Sequence, residues 1–482
     1  MLTDYFAEAI YPEGTESEKA LINKILESAL EGNLCVHIEE GALPEKIVAD
    51  NPEDLIPRTP LCKFNDNYYL QKNWVFETRF LKFVKQILSK KVEQVPMPHL
   101  ENLNVEQQNA VKLAFEHPLV LITGGPGTGK TYTAVHLVKA YLEKFSEAEV
   151  IIAAPTGKAV SRLESAFESS KNVRTATLHA LFGLSQNSTF LEEGSIISAD
   201  LILIDECSMI DAALFSHLVA SIPDRARLVL MGDGDQLSAV ESGSFFTDLK
   251  ESGKVPCASL TQCLRSSEET IISLAKAVNE ADVDGVLPQI TSCDLWKEVI
   301  ENFPGPFYEE RSYKELLHAL EKFKILSCVR KGPFGVDTLN ELIFRYFLEK
   351  MQPDAFLAVP ILITKNDYNL GLFNGDAGVL IRAFSEKTAS YAFFSSGKKI
   401  GLSLLPSFEY AYALSVHKSQ GSEYDKVLLL VPVGSEVFGK EVLYTAITRA
   451  KKTILIDGDR DVIRMALQRS SKRLSGVKER LE

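Results

Sequence analysis

Apolar residues recur along the chain with two different periods, and the period changes near residue 100. Before that point, Leu21–Leu30 and Phe80–Leu88 carry apolar residues at helical spacing, which predicts two amphipathic helices. Thr15 and Glu18 have the spacing of a capping box and predict where the first helix begins, and Gly32 predicts where it ends.

Strand signals in the same region are short. Leu34–Ile38 predicts one strand, and Leu61–Phe64 and Tyr68–Leu70 flank the turn-forming residues 65–67, which predicts a β-hairpin. Two prolines and a loss of periodicity then place a domain boundary near residues 92–103.

Beyond this boundary the pattern consists of short, uninterrupted apolar runs separated by helical or mixed sequence. Such runs suit strands that are buried on both faces of a parallel sheet. They fall into two groups, which predicts two α/β units in tandem. The first group is Leu119–Thr123, Val150–Ala154, Leu201–Ile204 and Leu228–Met231, and the second is Ile325–Val329, Pro360–Thr364, Val427–Val431 and Thr453–Ile456.

The composition is that of an ordinary globular protein. Of the 482 residues, 45% are hydrophobic and 24% are charged, which excludes a disordered chain, and the length suggests about three folding units. No apolar run approaches the roughly 18 residues that span a bilayer, and the acidic start lacks the features of a secretory signal, so we expect a cytoplasmic protein. Seven cysteines without a C-x-x-C pair argue against a disulfide framework, a zinc ribbon and an iron–sulfur cluster.

The net charge of −13 is unevenly distributed. Residues 1–50 contain eleven acidic and three basic side chains, whereas residues 441–482 contain ten basic and six acidic ones. The balance argues against a protein that coats DNA with a basic surface, but it leaves room for a local basic channel. The acidic first segment is either a solvated surface or a docking surface for another protein.

The strongest chemical motif covers residues 124–131, where GGPGTGKT matches G-x-x-x-x-G-K-[ST] directly after a predicted strand. Glycines let backbone N–H groups converge on phosphate oxygens without clashes from Cβ atoms. Lys130 is expected to reach the β- and γ-phosphates of ATP, and the Thr131 hydroxyl to bind Mg²⁺. The predicted ATP-binding residues of this loop are Gly124, Gly125, Pro126, Gly127, Thr128, Gly129, Lys130 and Thr131.

Two later strands also end in polar residues. The run 201–204 ends in Asp205 and Glu206; Asp205 is expected to hold Mg²⁺, and Glu206 to orient and deprotonate the attacking water. The run 228–231 leads into a polar turn, in which Gln236 is a candidate contact for the γ-phosphate or for water. A plain Asp-Gly turn is the alternative for this segment.

Further segments, taken in their order along the chain, resemble motifs of superfamily 1 helicases. They are 104–107 (NVEQ), 154–159 (APTGKA), 177–179 (TLH), 260–265 (LTQCLR), 415–423 (SVHKSQGSE) and 443–450 (LYTAITRA). The resemblance implies that Gln107 reads the adenine base. Asn104 and Gln107 also have helix-capping spacing, so a structural role for Gln107 is the alternative.

The same resemblance implies how hydrolysis and DNA binding are connected. Arg449, and a second arginine, Arg265, would reach the γ-phosphate when the two domains close, so that ATP clamps the domains and product release opens them. A helix cap and a solvated lysine are the alternative roles of Thr156 and Lys158. The DNA-binding residues that the resemblance implies are Thr156, Lys158, Thr177, His179, Asn374, His417 and Ser419.

Within the superfamily, residues 326–340 and 363–376 resemble the RecD family, the alpha subunits of exodeoxyribonuclease V (RecBCD). Leu264 and Ser415 depart from the usual motifs, which have an aromatic residue and a threonine there. The family implies an ATP- and Mg²⁺-dependent 5′→3′ DNA helicase subunit that works with RecB-like and RecC-like subunits on DNA ends, in double-strand break repair and recombination. The nuclease activity would belong to the RecB-like subunit. Alternatives are a mainly structural or regulatory ATP-binding subunit and a free-standing 5′→3′ helicase.

The resemblance also implies an α/β fold with two tandem RecA-like P-loop NTPase domains. We expect an N-terminal partner-docking module at 1–92, a first RecA-like ATPase domain at 103–270 and a second RecA-like domain at 271–482. A small β-barrel is expected within the second domain, near 377–410. Its aromatic residues would either stack on bases or form a core; they are Tyr391, Phe393, Phe394, Phe408 and Tyr410.

Overall fold

The structure is a computed structural model. It describes residues 2–93, 95–96, 100–164, 166–167, 170–182, 197–239, 241–262, 269–309, 311–367, 369–384 and 390–482. The helices of these ranges are α1 Leu2–Ile10, α2 Glu16–Leu30, α3 Gln71–Leu88, α4 Val105–Glu116, α5 Lys130–Lys144, α6 Gly157–Glu164, α7 Leu178–Phe182, α8 Ala212–Ser221, α9 Phe245–Ser252, α10 Glu269–Asn279, α11 Val283–Val286, α12 Leu295–Asn302, α13 Tyr313–Lys322, α14 Val336–Glu349, α15 Gly439–Ile447, α16 Arg460–Gln468 and α17 Val477–Arg480.

The strands fall into four sheets. They are β1 Cys35–His37, β2 Val48–Asp50, β3 Leu61–Phe64, β4 Asn67–Leu70, β5 Leu119–Gly124, β6 Val150–Ala154, β7 Val173–Thr177, β8 Leu201–Ile204, β9 Arg227–Gly232, β10 Cys257–Leu260, β11 Phe323–Ser327, β12 Phe356–Ile363, β13 Ala377–Ala383, β14 Tyr391–Phe394, β15 Lys399–Gly401, β16 Phe408–Tyr410, β17 Ala413–Ser415, β18 Tyr424–Val431 and β19 Ala450–Gly458.

The first seventy residues form a small sheet with the order β1-β4-β3-β2, covered by α1 and α2. The predicted capping box is confirmed, because Thr15 Oγ1 accepts from the Glu18 N–H at 3.3 Å and the Glu18 carboxylate accepts from the Thr15 N–H at 2.7 Å. The predicted hairpin is also confirmed as the antiparallel pair β3–β4. The apolar residues of this unit pack around Ile22, Ile25 and Leu61 as a core of their own.

Helix α3 joins this unit to the next one. Its inner face packs against α8, and Phe80 stacks on Phe245 with ring centroids 4.1 Å apart. Phe76, Phe80, Val84 and Ile87 thereby enter the same core as the strands of the following sheet. Residues 71–88 are therefore part of the structural support of that sheet, although they precede it in the sequence.

The following sheet is parallel throughout, with the strand order β10-β5-β9-β8-β6-β7. The four apolar runs predicted here as strands are confirmed in their order and almost in their bounds. A continuous apolar run is required because helices cover both faces of the sheet, so that even alternate side chains are buried. The loops that follow these strands all leave the sheet at the same edge.

A second parallel sheet has the strand order β17-β11-β18-β19. The chain is thus an α/β protein with two parallel sheets in tandem, as predicted. Helices α10, α15 and α16 pack on one side of this sheet around Val427, Leu429 and Ile456. Helix α13 and the following insertion cover its other side, against Leu428 and Leu430.

The insertion between β11 and β17 contains an antiparallel sheet with the order β15-β14-β13-β12-β16. Pro360–Thr364 was predicted as a parallel strand, which is wrong: the structure places it at the end of β12, inside this antiparallel sheet. The predicted closed barrel near 377–410 is not found, since no pairing joins the edge strands β15 and β16 in the described residues. A short apolar run identifies a buried strand but does not specify its partners.

The aromatic residues of the insertion mainly form core. Phe394 is buried, Phe393 stacks on Tyr313 at 4.9 Å, and Tyr410 stacks on Phe344 at 4.4 Å. Tyr391 keeps about a third of its surface exposed.

The C-terminal segment returns to the beginning of the chain. Arg480 forms an ion pair with Glu77 at 2.8 Å and lies 3.7 Å from the centroid of the Trp74 ring. The Gly476 N–H donates to the Glu77 carboxylate at 3.0 Å, and Val477 enters the core shared by α3 and the first parallel sheet. Among the described helices, none is both long and apolar enough to cross a membrane.

Candidate nucleotide site between the two parallel sheets

The P-loop leaves the first parallel sheet at the end of β5, which lies between β10 and β9. Gly127 and Gly129 adopt left-handed φ angles of 74° and 83°. A Cβ atom on Gly124 would lie 2.7 Å from the Leu260 carbonyl oxygen. Only glycine accepts these positions without strain, so the loop can bring its N–H groups together at the start of α5. This cradle fits a phosphate group.

The lysine of the loop is folded back on the loop itself. Lys130 Nζ donates to the carbonyl oxygen of Gly125 at 3.0 Å and also to that of Gly124. Thr128 Oγ1 donates to the same Gly125 oxygen at 2.8 Å. The positive end of Lys130 thus lies at the loop, where the predicted phosphates would bind.

Gln107 has the capping role that was one of the two predictions for it. Its backbone N–H donates to Asn104 Oδ1 at 2.9 Å, and its Oε1 accepts from the Asn104 N–H at 3.1 Å. The side chain is buried, with Nε2 3.5 Å from the Thr128 carbonyl oxygen. Reading of the adenine base by Gln107 stays a prediction.

Two carboxylates follow β8, the strand that lies two places from β5. Asp205 is buried, and its Oδ1 accepts from the Glu206 N–H at 2.8 Å. Glu206 is held at a left-handed φ of 54°, a costly conformation for a residue with a Cβ atom. A strained backbone that aims a carboxylate at the edge of the sheet is typical of a functional site.

The polar turn after β9, between β5 and β8, is buried. Gln236 Nε2 donates to Asp233 Oδ2 at 2.9 Å, and both residues are at most 5% exposed. Gln236 Oε1 is buried as well, and it has no hydrogen-bond partner in the described part of the chain. An unsatisfied buried acceptor is costly, so this oxygen is suited to a bound water or ligand.

The second parallel unit reaches this turn directly. The Tyr444 hydroxyl lies 3.1 Å from Asp233 Oδ2, and the Leu237 N–H donates to Thr445 Oγ1 at 2.8 Å. Gln420 Nε2 donates to the Leu237 carbonyl oxygen at 2.9 Å. The two units therefore meet at the nucleotide site. Sequence reasoning gave no role to Tyr444, because nothing in its spacing shows that α15 points it across the boundary.

A cavity of about 410 Å³ opens beside the P-loop. It is lined by the loop on one side, by α10 on another, and by Asp233, Tyr444 and Thr448. A larger cavity of about 940 Å³ lies at the opposite edge of the same sheet, around Tyr141 and Arg227. The P-loop and the turn after β9 both line the smaller cavity, so we take it as the candidate site.

The two predicted arginines differ in what the structure shows. Arg449 is 3% exposed and donates to the carbonyl oxygens of Thr445 at 3.0 Å and Ser422 at 3.2 Å, inside its own unit. Arg265 lies outside the described residues, as do Cys263 and Leu264 of the same segment.

The DNA-binding residues predicted in the first unit lie at the carboxyl ends of β6 and β7. Thr156 Oγ1 accepts from the Ala159 N–H at 3.4 Å and Thr177 Oγ1 from the Ala180 N–H at 3.2 Å, so both hydroxyls cap short helices. His179 is exposed. Lys158 reaches across to the second unit, with Nζ 5.8 Å from the centroid of the Tyr424 ring.

The corresponding residues of the second unit differ in exposure. Asn374 is exposed, and its N–H donates to Asn366 Oδ1 at 2.8 Å. His417 is half-buried, and burial together with the nearby Arg473 lowers its pKa. Ser419 has no exposed surface and donates to the Val416 carbonyl oxygen at 2.7 Å, so this conformation does not place it where DNA could reach it.

The loop after β17, which contains His417 and Ser419, contacts the first parallel unit. A Cβ atom on Gly421 would lie 3.5 Å from Thr156 Oγ1 and 4.0 Å from Glu206 Oε1. On the other side of the loop, Glu409 pairs with Lys418 at 2.6 Å and with Arg330 at 3.2 Å. The loop after β17 is therefore in contact with both the predicted DNA residues and the acidic strand end.

The fold and the site define a P-loop nucleoside triphosphatase in which a second parallel unit closes one side of the nucleotide site. An AAA domain model matches residues 107–242, and a UvrD-like helicase C-terminal domain model matches residues 410–456.

Curated relatives match over most of the chain. The RecBCD enzyme subunit RecD of Mycolicibacterium smegmatis is 30% identical over 89% of this chain and 84% of that protein, and its counterpart in Mycobacterium tuberculosis (strain ATCC 25618 / H37Rv) is 30% identical over 90% and 84%. The ATP-dependent RecD2 DNA helicase of Deinococcus radiodurans is 31% identical over 78% of this chain and 52% of that protein. The chain belongs to the RecD family, and it is an ATP-hydrolysing DNA helicase.

Proposed function

We propose that the chain is the 5′→3′ helicase and translocase subunit of a RecBCD-type complex that processes DNA ends in double-strand break repair and recombination. The observation that carries this proposal is the meeting of two parallel units at the P-loop, with Tyr444, Thr445 and Gln420 of the second unit bonded to the turn after β9. A motor needs such a boundary, because hydrolysis in one unit must move the other. Each parallel sheet corresponds to one RecA-like domain in this proposal.

The site residues have distinct roles in the proposal. Lys130 neutralises the β- and γ-phosphates of ATP, while Glu206 orients the attacking water and takes its proton. Gln236 Oε1, which has no partner in the described residues, accepts a hydrogen bond from that water. Arg449 and Arg265 stabilise the charge that develops on the γ-phosphate when the units close.

The nucleotide and its cation fit the residues present. The left-handed φ angles of Gly127 and Gly129 let the N–H groups of the loop converge on a phosphate, and the Thr131 hydroxyl and the Asp205 carboxylate are oxygen ligands of the kind that Mg²⁺ prefers. Bound Mg²⁺ would supply charge for the terminal phosphates. Asp205, which is buried at the carboxyl edge of the sheet, would hold the cation there.

Single-stranded DNA would cross the carboxyl edges of both parallel sheets. Thr156, Lys158, Thr177 and His179 supply contacts from the first unit, and Asn374 and His417 supply them from the second. The loop 416–421 contacts Thr156 and Glu206. Movement of DNA on this surface would therefore shift the loop and change the position of the Glu206 carboxylate.

The N-terminal unit, residues 1–70, would dock RecB- and RecC-like subunits. Helix α1 exposes 62% of Leu2, 72% of Tyr5 and 47% of Phe6, although it has a protein core beneath it. Tyr5 and Phe6 lie one turn after Leu2 within an acidic segment, so a partner with an apolar groove and a basic rim would fit these residues. The names of the relatives as RecBCD enzyme subunits support membership of such a complex.

The proposal is tested with the full chain and matched DNA substrates. The wild type should hydrolyse ATP faster with single-stranded DNA and should displace a strand from a duplex with a 5′ tail but not from one with a 3′ tail. Lys130→Ala should abolish both activities. Strand displacement only from the 3′-tailed duplex would contradict the polarity, and ATP binding without DNA-stimulated turnover would indicate a regulatory subunit.

Docking is tested separately, with variants that keep α3 in place. The triple variant Leu2→Ser, Tyr5→Ser, Phe6→Ser should lose co-purification with the RecB- and RecC-like subunits and keep DNA-stimulated ATPase activity. A matched control changes exposed apolar residues elsewhere, Leu342→Ser and Met465→Ser. Equal co-purification of the wild type and the triple variant would contradict docking through α1.

A further inference from the structure

The hydroxyl of Tyr444, a residue of the second unit, lies beside the P-loop and contacts the turn after β9. It lies 3.1 Å from Asp233 Oδ2 and would lie 3.1 Å from a Cβ atom on Gly125. Tyr444 is 5% exposed and lines the cavity beside the P-loop. Most buried phenols have a hydrogen-bond partner, and for Tyr444 that partner is in the other unit.

Asp233 connects this hydroxyl with the turn that faces the nucleotide. Its Oδ2 accepts from both Tyr444 and Gln236 Nε2, at 3.1 and 2.9 Å. Asp233 is 2% exposed, so water does not compete freely for this oxygen. The orientation of the Gln236 amide, and with it the direction of its unpartnered Oε1, therefore depends on a carboxylate that Tyr444 helps to fix.

We propose that Tyr444 is a positioning residue of the ATPase reaction: its hydroxyl fixes Asp233, which in turn orients Gln236 toward the nucleotide, so that the second unit controls a polar contact of the first. The inference rests on the proposed role of Gln236. Through the contact between Tyr444 and Asp233, the rate of hydrolysis would depend on the position of α15, in addition to any effect of Arg449. Tyr444 itself takes up or releases no proton in this role, and burial beside Asp233 raises the pKa of its phenol.

The test is Tyr444→Phe in the full-length chain, which removes one hydroxyl and keeps the ring. We expect kcat of the DNA-stimulated ATPase to fall by roughly 3–10-fold, the loss expected for one oriented hydrogen bond, while KM for ATP and the affinity for single-stranded DNA change by less than about twofold. Tyr412→Phe is the matched control. Tyr412 is also buried in the second unit, and its hydroxyl has no hydrogen-bond partner in the described residues, so kcat should stay as in the wild type.

A second variant distinguishes positioning from a general loss of structure. In a Gln236→Ala background, Tyr444→Phe should have little further effect on kcat, because the group that it orients is gone. The inference would be overturned if the fold-losses in kcat of the two single variants multiplied in the double variant. It would also be overturned if Tyr444→Phe raised KM for ATP and left kcat unchanged. If Tyr444→Phe has the kcat of the wild type, the inference about Tyr444 fails but the proposed function stands. If the wild-type chain has no DNA-stimulated ATPase activity, the proposed function fails as well.

Discussion

At the scale of single residues, the site combines side chains that sequence spacing reveals with side chains that it does not. The position of the P-loop between a strand and a helix was predicted correctly, because that local context is visible in the sequence. Tyr444 was not predicted because its partner, Asp233, lies 211 residues away. The burial of Ser419 was missed for the same reason, since burial depends on what packs over a residue.

Glu206 provides a direct test at this scale. Glu206→Gln keeps the shape of the side chain but removes the base, so the variant should bind ATP like the wild type and turn it over about 10²–10⁴-fold more slowly. Nucleotide binding by fluorescence and steady-state ATPase rates check both parts. Glu147→Gln, an exposed change at the other edge of the sheet, is the control. Parallel loss of binding and turnover would point to a metal-binding or structural role.

Arg449 provides a second test. If it reaches the γ-phosphate in the closed form, Arg449→Ala should keep ATP binding and lose about 10³–10⁵-fold in hydrolysis rate. Because the guanidinium also bonds the carbonyl oxygens of Thr445 and Ser422, the thermal midpoint must be measured alongside. Arg460→Ala, an exposed arginine of the same unit, is the control. A normal hydrolysis rate in a folded Arg449→Ala protein would contradict closure around the nucleotide.

At the scale of secondary-structure elements, prediction succeeded where one local signal decides. The strands β6 and β8 have the predicted bounds, because a short apolar run that ends in polar residues leaves little choice. Prediction failed for β12, whose apolar run suits a parallel or an antiparallel strand equally well. Sheet membership is decided by pairing across distant segments, which a single run of residues does not encode.

A titratable group inside β11 gives a prediction at this scale. Lys324 is 5% exposed and donates to the Ala411 carbonyl oxygen at 2.6 Å; burial, with a smaller effect of Lys158, lowers its pKa to about 7. The unfolded chain releases this proton only near the ordinary pKa of about 10.4. Between these two values the unfolded state holds more protons, so this lysine makes the free energy of unfolding rise with pH from about 7 to 10.

Lys324→Met should remove that contribution. Denaturant unfolding at pH 7 and pH 9.5 should show a larger gain in stability for the wild type than for the variant, since the other groups that titrate in this range are common to both. Lys322→Met, an exposed lysine at the end of α13, should behave like the wild type. The same pH dependence in all three proteins would show that Lys324 keeps an ordinary pKa.

At the scale of the whole molecule, the two parallel units and the N-terminal unit are tied together by segments far apart in sequence. The tandem arrangement was predictable, because the two groups of apolar runs are separated along the chain. The return of the C-terminal segment to α3 was not, since Arg480 and Val477 look like ordinary residues of a short terminal helix. Only the structure shows that Glu77 in α3 is 0% exposed and that Arg480 is its ion-pair partner.

The buried pair of Glu77 and Arg480 gives the prediction at this scale. Arg480→Ala leaves Glu77 without its cation and should lower the free energy of unfolding by about 3–5 kcal/mol. The double variant Glu77→Gln, Arg480→Met should lose less, because no uncompensated charge remains. Urea unfolding of the full chain measures both, with Lys478→Ala, an exposed neighbour, as the control. Equal losses in the single and double variants would mean that packing of α17, and not charge, is what matters.

The return of the C-terminal segment also sets an order of events during synthesis. Glu77 leaves the ribosome 403 residues before Arg480. Until the second unit has been synthesised, part of the core of α3 and the neighbouring sheet stays exposed to solvent, and the Glu77 carboxylate lacks its ion-pair partner. Contacts so distant in sequence form late, because the chain between them must first be confined. A stop codon shortly before residue 477 would thus leave every motif of the ATPase intact and still damage the part of the protein that was made first.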